Sequence, residues 1–429
     1  MKELKEFQKI GVQFLSSRYH AMLADDMGLG KTLQTVRALD EVQPTSALII
    51  CPANLRFTWF YALQLDCDCF LKPIILKGNA REKKTNALEC WICSYEFVVG
   101  NLYYFQGHNF DVLICDEAHY LRKLTSKRTA AILGRWGVAN RCGYKWMLTG
   151  TPIHNRPIDL FPVLVTLATK FLKPFITFDS FARRYCGGPY ALGGSRHAEL
   201  ASKLSEFMLR RTKQEVLPEL PPCNIEITWI EPSPGDVKLK HVLHEGSKIE
   251  IQFNEFGQLD VKTFGDQAKH RQELAIAKLL YVVSEIERVL EYKEKIVVFV
   301  HHLSVLEAFR AHFSGKMDFC VYYGKMTPLE KERAKEKFIK RKEARIFFGQ
   351  IIAAGTGLDG LQLVCDTVLF AEWDWTPGGN SQATDRLYRM GQANPVNAYF
   401  LAVRGSLEER MLNSNGKKSI DQKLILGSR

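Results

Sequence analysis

The chain has 429 residues, 46% of them hydrophobic and 24% charged, as is typical of a globular protein, and this length suits two or three domains. The N-terminus lacks the apolar core of a signal peptide, and the longest apolar stretch, residues 158–172, is broken by Asp159, Pro162 and Lys170, so no membrane span is expected. Eleven cysteines without a secretion signal indicate reduced thiols in a soluble, intracellular protein. A net charge of +11 is compatible with a polyanionic partner, although charge alone also serves solubility.

Short apolar runs that end in Gly, Thr or Asp alternate with helical stretches along the chain. Buried parallel strands of an α/β fold have this pattern. The runs are dense before Thr151 and again after Lys295, so two α/β lobes with parallel sheets flanked by helices are predicted. The clearest runs are residues 47–51, 112–115, 146–148, 296–300, 345–348 and 368–370.

The middle of the chain has a different character. Residues 161–211 follow a mostly helical pattern with a Gly-rich break, and residues 252–266 are expected to form a surface loop. The Pro-rich residues 217–222 cannot continue a helix and are a natural linker. The predicted organisation is an ATP-binding lobe at 1–160, a helical protrusion on it at 161–215, a linker and helical segment at 216–290, a second lobe at 291–415 and a tail at 416–429.

Four cysteines raise the question of a zinc site, since Cys67 and Cys69 together with Cys90 and Cys93 offer four thiolates. However, Cys93 lies in an apolar run typical of a buried strand, and a Cys-x-Cys pair is poorer than the usual zinc knuckle. Core thiols are the favoured interpretation. No metal other than nucleotide-bound magnesium is predicted.

A phosphate-binding loop is predicted at residues 25–32, which read DDMGLGKT after a short apolar run. Glycines let backbone amides turn onto phosphate oxygens at a helix N-terminus. Lys31 is expected to reach the β- and γ-phosphates of ATP, and the Thr32 hydroxyl to bind Mg²⁺. Asp25 stands where the Walker A pattern has Gly, so the motif needs a partner elsewhere in the chain. The other nucleotide-binding residues of the loop are Asp26, Met27, Gly28, Leu29 and Gly30.

That partner is the string DEAH at residues 116–119, directly after an apolar run. Asp116 is expected to hold Mg²⁺ through water, and Glu117 to orient and deprotonate the attacking water. Paired acids after a strand also serve as a helix N-cap, but the upstream phosphate loop favours catalysis. The hydroxyls of Thr149 and Thr151 are candidates for coupling nucleotide state to the nucleic-acid path, or for capping a helix.

The most specific string of the chain is QATDRLYRMGQ at residues 382–392. Arg386 and Arg389 are three residues apart and share one face if the segment is helical. Two guanidinium groups aimed across a cleft neutralise charge that develops on the γ-phosphoryl group, whereas the alternative is a solvated basic face. Upstream, residues 353–359 include Gly357 and offer glycines for close approach to phosphate.

Taken in order from about Leu4 to about Met411, these strings resemble the Swi/Snf-type ATPases of helicase superfamily 2. The string FMLRRTK at 207–213, which precedes a Leu-Pro-x-Leu-Pro segment, separates this family from generic helicases, and VFVHH at 298–302 is similar to the annealing-helicase and fork-remodelling branch. The resemblance implies two RecA-like lobes, ATP, Mg²⁺ and tracking along duplex DNA without full strand separation. It assigns to the nucleotide Gln8, Lys31, Asp116, Glu117, Gln382, Arg386 and Arg389. It places the DNA at segments around Pro52, Asn54, Ser94, Tyr95, Thr151, His301, His302 and Thr356.

Two departures from the family pattern stand out. Asp359 occupies a position where the family more often has Asn or Thr, and residues 375–377 read WTP instead of Trp-Asn-Pro. Small insertions and the lack of a recognisable chromatin-reading module favour a minimal, monomeric motor of viral, phage or bacterial type.

Three functions are weighed: a duplex-DNA-stimulated translocase, a strand-separating DNA or RNA helicase, and a non-hydrolysing, ATP-gated binding module. The segment from Arg210 to Pro222 argues against the second. Intact Lys31, Glu117 and Arg389 argue against the third.

Overall fold

The computed structural model describes residues 2–78, 88–153, 156–167, 177–186, 196–247, 261–354, 358–413 and 416. The chain divides into two compact units, Met1–Val216 and Leu217–Ile420. The boundary coincides with the start of the Pro-rich segment in which a linker is predicted.

The first unit is built on a parallel sheet. Its strands are β1 (His20–Leu23), β2 (Ser46–Cys51), β3 (Lys72–Ile75), β4 (Glu89–Ser94), β5 (Phe110–Asp116), β6 (Cys142–Leu148) and β7 (Met208–Leu209). Its helices are α1 (Glu6–Ser16), α2 (Lys31–Val42), α3 (Arg56–Asp66), α4 (Tyr95–Gly100), α5 (Leu102–Gln106), α6 (Lys127–Leu133), α7 (Phe161–Leu167), α8 (Phe178–Tyr185), α9 (His197–Leu204) and α10 (Lys213–Val216). The strand order is β3-β4-β2-β5-β6-β1-β7.

The second unit has a parallel sheet of its own. Its strands are β8 (Cys223–Ile230), β9 (Ile296–Val300), β10 (Phe319–Tyr322), β11 (Ile346–Gln350), β12 (Thr367–Phe370) and β13 (Val396–Val403). Its helices are α11 (Val237–Ser247), α12 (Val261–Ala277), α13 (Leu279–Tyr292), α14 (Leu303–Phe313), α15 (Pro328–Lys340), α16 (Ile351–Ala354) and α17 (Pro377–Thr384). The strand order is β10-β11-β9-β12-β13-β8.

Both faces of each sheet are buried, which explains the continuous apolar runs in the sequence. In β2, Leu48 and Ile50 belong to one core cluster of the first unit, whereas Ala47, Ile49 and Cys51 belong to the other. All six predicted strands are present, and every strand pair of the described residues is parallel. The predicted α/β fold class, with two parallel sheets flanked by helices, is confirmed.

Three segments differ from the sequence predictions. β7 interrupts the stretch predicted to be helical, because the backbone at Met208 pairs with β1 at Met22. β8 lies where a linker and helices were expected, and it pairs with β13 over all of its eight residues. Residues 261–266 begin the 17-residue helix α12 and are not loop. In the first two cases, pairing with a strand distant in the sequence decides the structure.

The cysteines do not converge on one site. Cys90 and Cys93 pack in opposite core clusters of the first unit, one on each face of its sheet. Cys67 and Cys69 lie beside Asp40, with Cys67 Sγ 3.1 Å from Asp40 Oδ1. Asp40 Oδ1 also accepts the backbone N–H groups of Asp68 and Cys69.

No helix among the described residues is both long and apolar enough to cross a membrane.

Candidate nucleotide-binding site

The predicted phosphate loop connects β1 to the N-terminus of α2. Gly28 and Gly30 have φ angles of 85° and 79°, in the left-handed region that favours glycine. A Cβ atom at Gly30 would also lie only 2.5 Å from Gln8 Nε2. Because α2 begins at Lys31, its first backbone N–H groups face the loop and are available to an anion.

The side chain of Lys31, the first residue of α2, reaches back to the start of the loop. Its ammonium group donates hydrogen bonds to the carbonyl oxygens of Asp25 (2.7 Å) and Asp26 (3.2 Å). Burial lowers the pKa of Lys31, while the negative charges of Glu117, Asp25 and Asp116 act in the opposite direction. The structure therefore brings the predicted phosphate-binding lysine and the two predicted catalytic acids into one electrostatic group.

Asp116 ends β5 and is nearly fully buried. Its carboxylate accepts hydrogen bonds from Trp59 Nε1 (2.8 Å) and from the backbone N–H of Glu117 (2.9 Å). Burial and repulsion by Glu117 raise the pKa of Asp116 to about 6, although Trp59 and Lys31 oppose the shift. Two adjacent buried carboxylates attract a cation, and their oxygens are hard donors of the kind that Mg²⁺ prefers. The residues therefore fit the predicted magnesium ion.

Glu117 has an unusual backbone conformation for a residue with a side chain, with φ 52° and ψ 50°. Such strain persists only where the surroundings impose it, and it concentrates at functional sites. Its carboxylate lies 3.2 Å from Nδ1 of His119, which in turn lies 3.4 Å from Thr149 Oγ1. The Thr149 hydroxyl also accepts the backbone N–H of Thr151 (3.1 Å). His119 thus links the predicted general base to the threonine segment after β6.

Gly150, between those threonines, packs directly against the phosphate loop. A Cβ atom there would overlap Met27 Cγ and would lie 3.4 Å from Lys31 Nζ. Only glycine permits this approach without rearrangement. The threonine segment therefore touches the nucleotide loop, as its predicted coupling role requires.

Gln8, which the resemblance assigns to the nucleotide, is buried on α1. Its Oε1 accepts the backbone N–H of Lys5 (3.0 Å), and its Nε2 donates to the carbonyl oxygen of Leu29 (3.2 Å). The Gln8 side chain therefore joins α1 to the phosphate loop.

The predicted arginines of the second unit lie in turns and not on a helix. α17 ends at Thr384, and the chain continues in tighter turns with hydrogen bonds from Arg386 N to Ala383 O (3.2 Å) and from Leu387 N to Thr384 O (3.0 Å). The condition for Arg386 and Arg389 to share a helical face, a helical segment that includes both, is therefore not met. A spacing of three residues does not show where the hydrogen-bond ladder of a helix ends.

The two arginine side chains have different surroundings. Arg386 is nearly buried, and its Nε donates to the carbonyl oxygen of Gln382 (3.3 Å). Arg389 is more accessible and forms an ion pair with the exposed carboxylate of Asp359. Asp359, noted in the sequence as a departure from the family pattern, is therefore the partner of a predicted catalytic arginine.

Two of the predicted DNA-contact residues have hydrogen-bond partners within the first unit. Ser94 caps α4, its hydroxyl accepting the backbone N–H of Phe97 (3.2 Å). Tyr95 is 0% exposed and donates its hydroxyl hydrogen to the carbonyl oxygen of Asp116 (2.7 Å). Both side chains are buried, so neither is presented to solvent, and their prediction as DNA contacts stays a prediction. Two further predicted DNA contacts differ in exposure, since Pro52 is buried and Asn54 is exposed.

The histidine pair of the second unit is held by a buried carboxylate. The backbone N–H of His301 and the backbone N–H of His302 each donate a hydrogen bond to Glu372 Oε2 (2.9 Å each). In addition, His302 Nδ1 lies 2.6 Å from Glu372 Oε1. Burial, followed by the charge of Arg271, lowers the pKa of His301 to about 4. Its surroundings therefore favour the neutral form of the His301 imidazole. The predicted Thr356 and Gly357 lie outside the described residues.

Two contributions to the site were missed in the sequence. Trp59 holds Asp116 from α3, and no motif signals it, since a buried tryptophan is usually only part of a core. Arg210 and Arg211 bind the phosphate loop, although they were noted only as part of a family string. Asp25, a carboxylate in place of the Walker A glycine, was the available signal for a buried basic partner.

A glycine-rich loop before a lysine-led helix, set in a parallel α/β unit, defines a P-loop protein. The chain matches the SNF2-related domain over residues 7–290 and the helicase conserved C-terminal domain over residues 277–391. It therefore belongs to the SNF2-related family and is an ATP-dependent hydrolase.

Among its relatives is the DNA annealing helicase and endonuclease ZRANB3, 30% identical over 441 residues in Homo sapiens and 31% identical over 432 in Mus musculus. Another is the SWI/SNF-related matrix-associated actin-dependent regulator of chromatin subfamily A-like protein 1 of Xenopus tropicalis, 30% identical over 430 residues. The alignments cover 97%, 95% and 95% of this chain but only 40%, 39% and 43% of the relatives, so the chain spans about two fifths of their length. A solved SWI2/SNF2 ATPase core of Sulfolobus solfataricus in complex with dsDNA is 19% identical, with a TM-score of 0.48, and covers 100% of this chain and 98% of that one.

Proposed function

We propose that this ATP hydrolase is a duplex-DNA-stimulated translocase, which remodels DNA or DNA–protein complexes without full strand separation. The observation that carries the proposal is the docking of the Leu-Arg-Arg-Thr-Lys segment on the phosphate loop. This string distinguishes Swi/Snf-type ATPases from generic helicases. The relatives named as DNA annealing helicases and the net charge of +11 support DNA as the partner.

In the proposed reaction, Lys31 and the backbone N–H groups at the start of α2 bind the phosphates of ATP. Thr32 and Asp116 would hold Mg²⁺, which supplies positive charge to the reacting phosphate oxygens. Glu117 orients the attacking water and accepts its proton, and His119 keeps the carboxylate in place. Arg386 and Arg389 are the proposed donors to the γ-phosphoryl group, and Gln8 and Gln382 are proposed to serve the nucleotide.

ATP hydrolysis would reach the DNA through the threonine segment. His119 contacts both Glu117 and Thr149, and Gly150 lies against Lys31, so a change at the γ-phosphate alters the surroundings of Thr151. The proposed DNA contacts lie in segments of both units: Pro52, Asn54, Ser94, Tyr95 and Thr151 in the first, and His301, His302 and Thr356 in the second. We further propose a monomeric motor, for which light scattering should give the mass of one chain.

Displacement of a triplex-forming strand tests translocation directly. The protein is given ATP and duplex DNA carrying a third strand, and in parallel a forked duplex that reports strand separation. We expect triplex displacement that requires ATP, with little separation of the fork. Efficient separation of the fork, or of a DNA–RNA duplex, without triplex displacement would favour the alternative function, a strand-separating helicase.

A further inference from the structure

A buried ion pair joins the phosphate loop to the segment after β7. Arg211 Nε donates to Asp25 Oδ1 (2.9 Å), and its Nη2 donates to Asp25 Oδ2 (2.5 Å). Asp25 is 0% exposed. A two-pronged arginine–carboxylate contact fixes the direction of both groups as well as their distance.

The same guanidinium group reaches two helices. Nη2 of Arg211 donates to Gln34 Oε1 on α2 (2.9 Å), and Nη1 donates to the carbonyl oxygen of Phe7 on α1. Gln34 Nε2 in turn donates to Asp25 Oδ2 (3.2 Å) and to Leu29 O (3.1 Å), the carbonyl oxygen that also accepts from Gln8. One arginine thus connects the phosphate loop, the helix that follows it and the helix that carries Gln8.

The neighbouring residues reinforce this contact. Arg210 donates to the carbonyl oxygen of Ala24 (3.0 Å) and to Asp26 Oδ1 (3.2 Å), while the backbone N–H of Lys213 donates to Asp26 Oδ2 (3.1 Å). The backbone N–H of Asp26 donates to the carbonyl oxygen of Arg211 (3.0 Å). Both aspartates that begin the loop are therefore held by the segment from Arg210 to Lys213.

We propose that Arg211 is a positioning residue for ATP hydrolysis, which through Asp25 sets the phosphate loop relative to the helix carrying Gln8. Stability alone does not call for this arrangement, because well-packed apolar residues replace buried ion pairs at little cost. The carboxylate at position 25, where the Walker A pattern has glycine, is explained as the anchor for this arginine. The inference rests on the proposed phosphate loop around Lys31.

The decisive variant is Arg211→Lys, which keeps the charge and loses the two-pronged geometry. We expect KM for ATP to rise about tenfold, the equivalent of one charge-assisted hydrogen bond, while the folded fraction keeps much of its kcat. Arg184→Lys is the matched control. Arg184 also forms a two-pronged contact, with Glu199 (2.8 and 2.7 Å), in the same unit but away from the loop.

A double-mutant cycle with Asp25→Asn distinguishes positioning from general destabilisation. If the two residues act as one unit, Asp25→Asn should raise KM similarly, and the double variant should be no worse than the poorer single variant. A lower melting temperature with KM and kcat of the folded fraction unchanged would overturn the inference, as would additive penalties.

If Arg211→Lys does not fold, Asp25→Asn alone provides the KM measurement, and an unchanged KM there again contradicts the proposal. Lys31→Ala separates this failure from failure of the proposed site. Loss of ATP binding in Lys31→Ala together with a normal KM in Arg211→Lys would refute only the role of Arg211. ATP binding that survives Lys31→Ala would refute the assignment of the loop itself.

Discussion

At the scale of single residues, the predicted acids owe their chemistry to neighbours that no motif names. The DEAH string predicts that Asp116 is catalytic, but it does not show that Trp59 Nε1 and the backbone N–H of Glu117 hold its carboxylate. Likewise, the sequence marked Asp25 as irregular but did not show that its partner lies 186 residues away. Local patterns reveal residue types and spacing, whereas partners across the fold depend on how the chain closes.

Glu117→Gln should separate nucleotide binding from hydrolysis. The amide keeps the shape of the side chain but cannot accept a proton, so we expect kcat to fall by about 10²-fold or more while ATP still binds. Phosphate release and fluorescent-nucleotide titration measure the two effects. Glu96→Gln, which removes an exposed carboxylate paired with Arg128, is the control and should leave both unchanged. Normal turnover in Glu117→Gln would show that another group is the base.

Asp359→Asn tests the ion pair that holds Arg389. Because Asp359 is exposed, the pair is weak, and the neutral amide should free the guanidinium group for ATP at little structural cost. We expect kcat to rise by no more than about fivefold, the scale of one exposed ion pair. Arg389→Ala should lose activity whether or not Asp359 is changed. A lower kcat in Asp359→Asn would instead mean that the carboxylate orients the arginine productively.

At the scale of secondary-structure elements, a strand or helix could be predicted from the sequence when its pattern did not depend on distant residues. The strands buried on both faces were predictable, since their apolar runs hardly depend on context. β7 has only two residues and exists through its pairing with β1. α17 ends before the arginines because the backbone N–H groups of Arg386 and Leu387 bond to carbonyl oxygens three residues earlier. Neither leaves a periodic signal in the sequence.

Gly11→Ala examines the packing of α1 against the site. Helix propensity alone favours alanine by about 1 kcal/mol. However, a Cβ at this position would overlap Gln34 Oε1 and lie 2.9 Å from Arg211 Nη2. We expect packing to prevail, with the free energy of unfolding reduced by about 1–3 kcal/mol.

Urea unfolding measures this change, and Gly100→Ala is the control because a Cβ there meets no atom within 4 Å. A Gly11→Ala variant as stable as the control would mean that α1 is not tightly packed on the phosphate loop.

At the scale of the whole molecule, the net charge of +11 should govern the encounter with nucleic acid. Phosphate contacts release counterions, so the affinity for duplex DNA should fall linearly with salt on logarithmic axes, by about tenfold or more between 50 and 200 mM. The DNA concentration that half-activates ATP hydrolysis measures this at each salt concentration, with the rate without DNA as the reference. An activation constant independent of salt would rule out binding dominated by the DNA backbone.

The central claim, an ATP hydrolase driven by duplex DNA, is tested most directly by phosphate release with duplex DNA, single-stranded DNA and RNA in parallel. We expect duplex DNA to give the greatest stimulation and Lys31→Ala to abolish activity with all three. Greatest stimulation by RNA would contradict the translocase, and hydrolysis that survives Lys31→Ala would contradict the site.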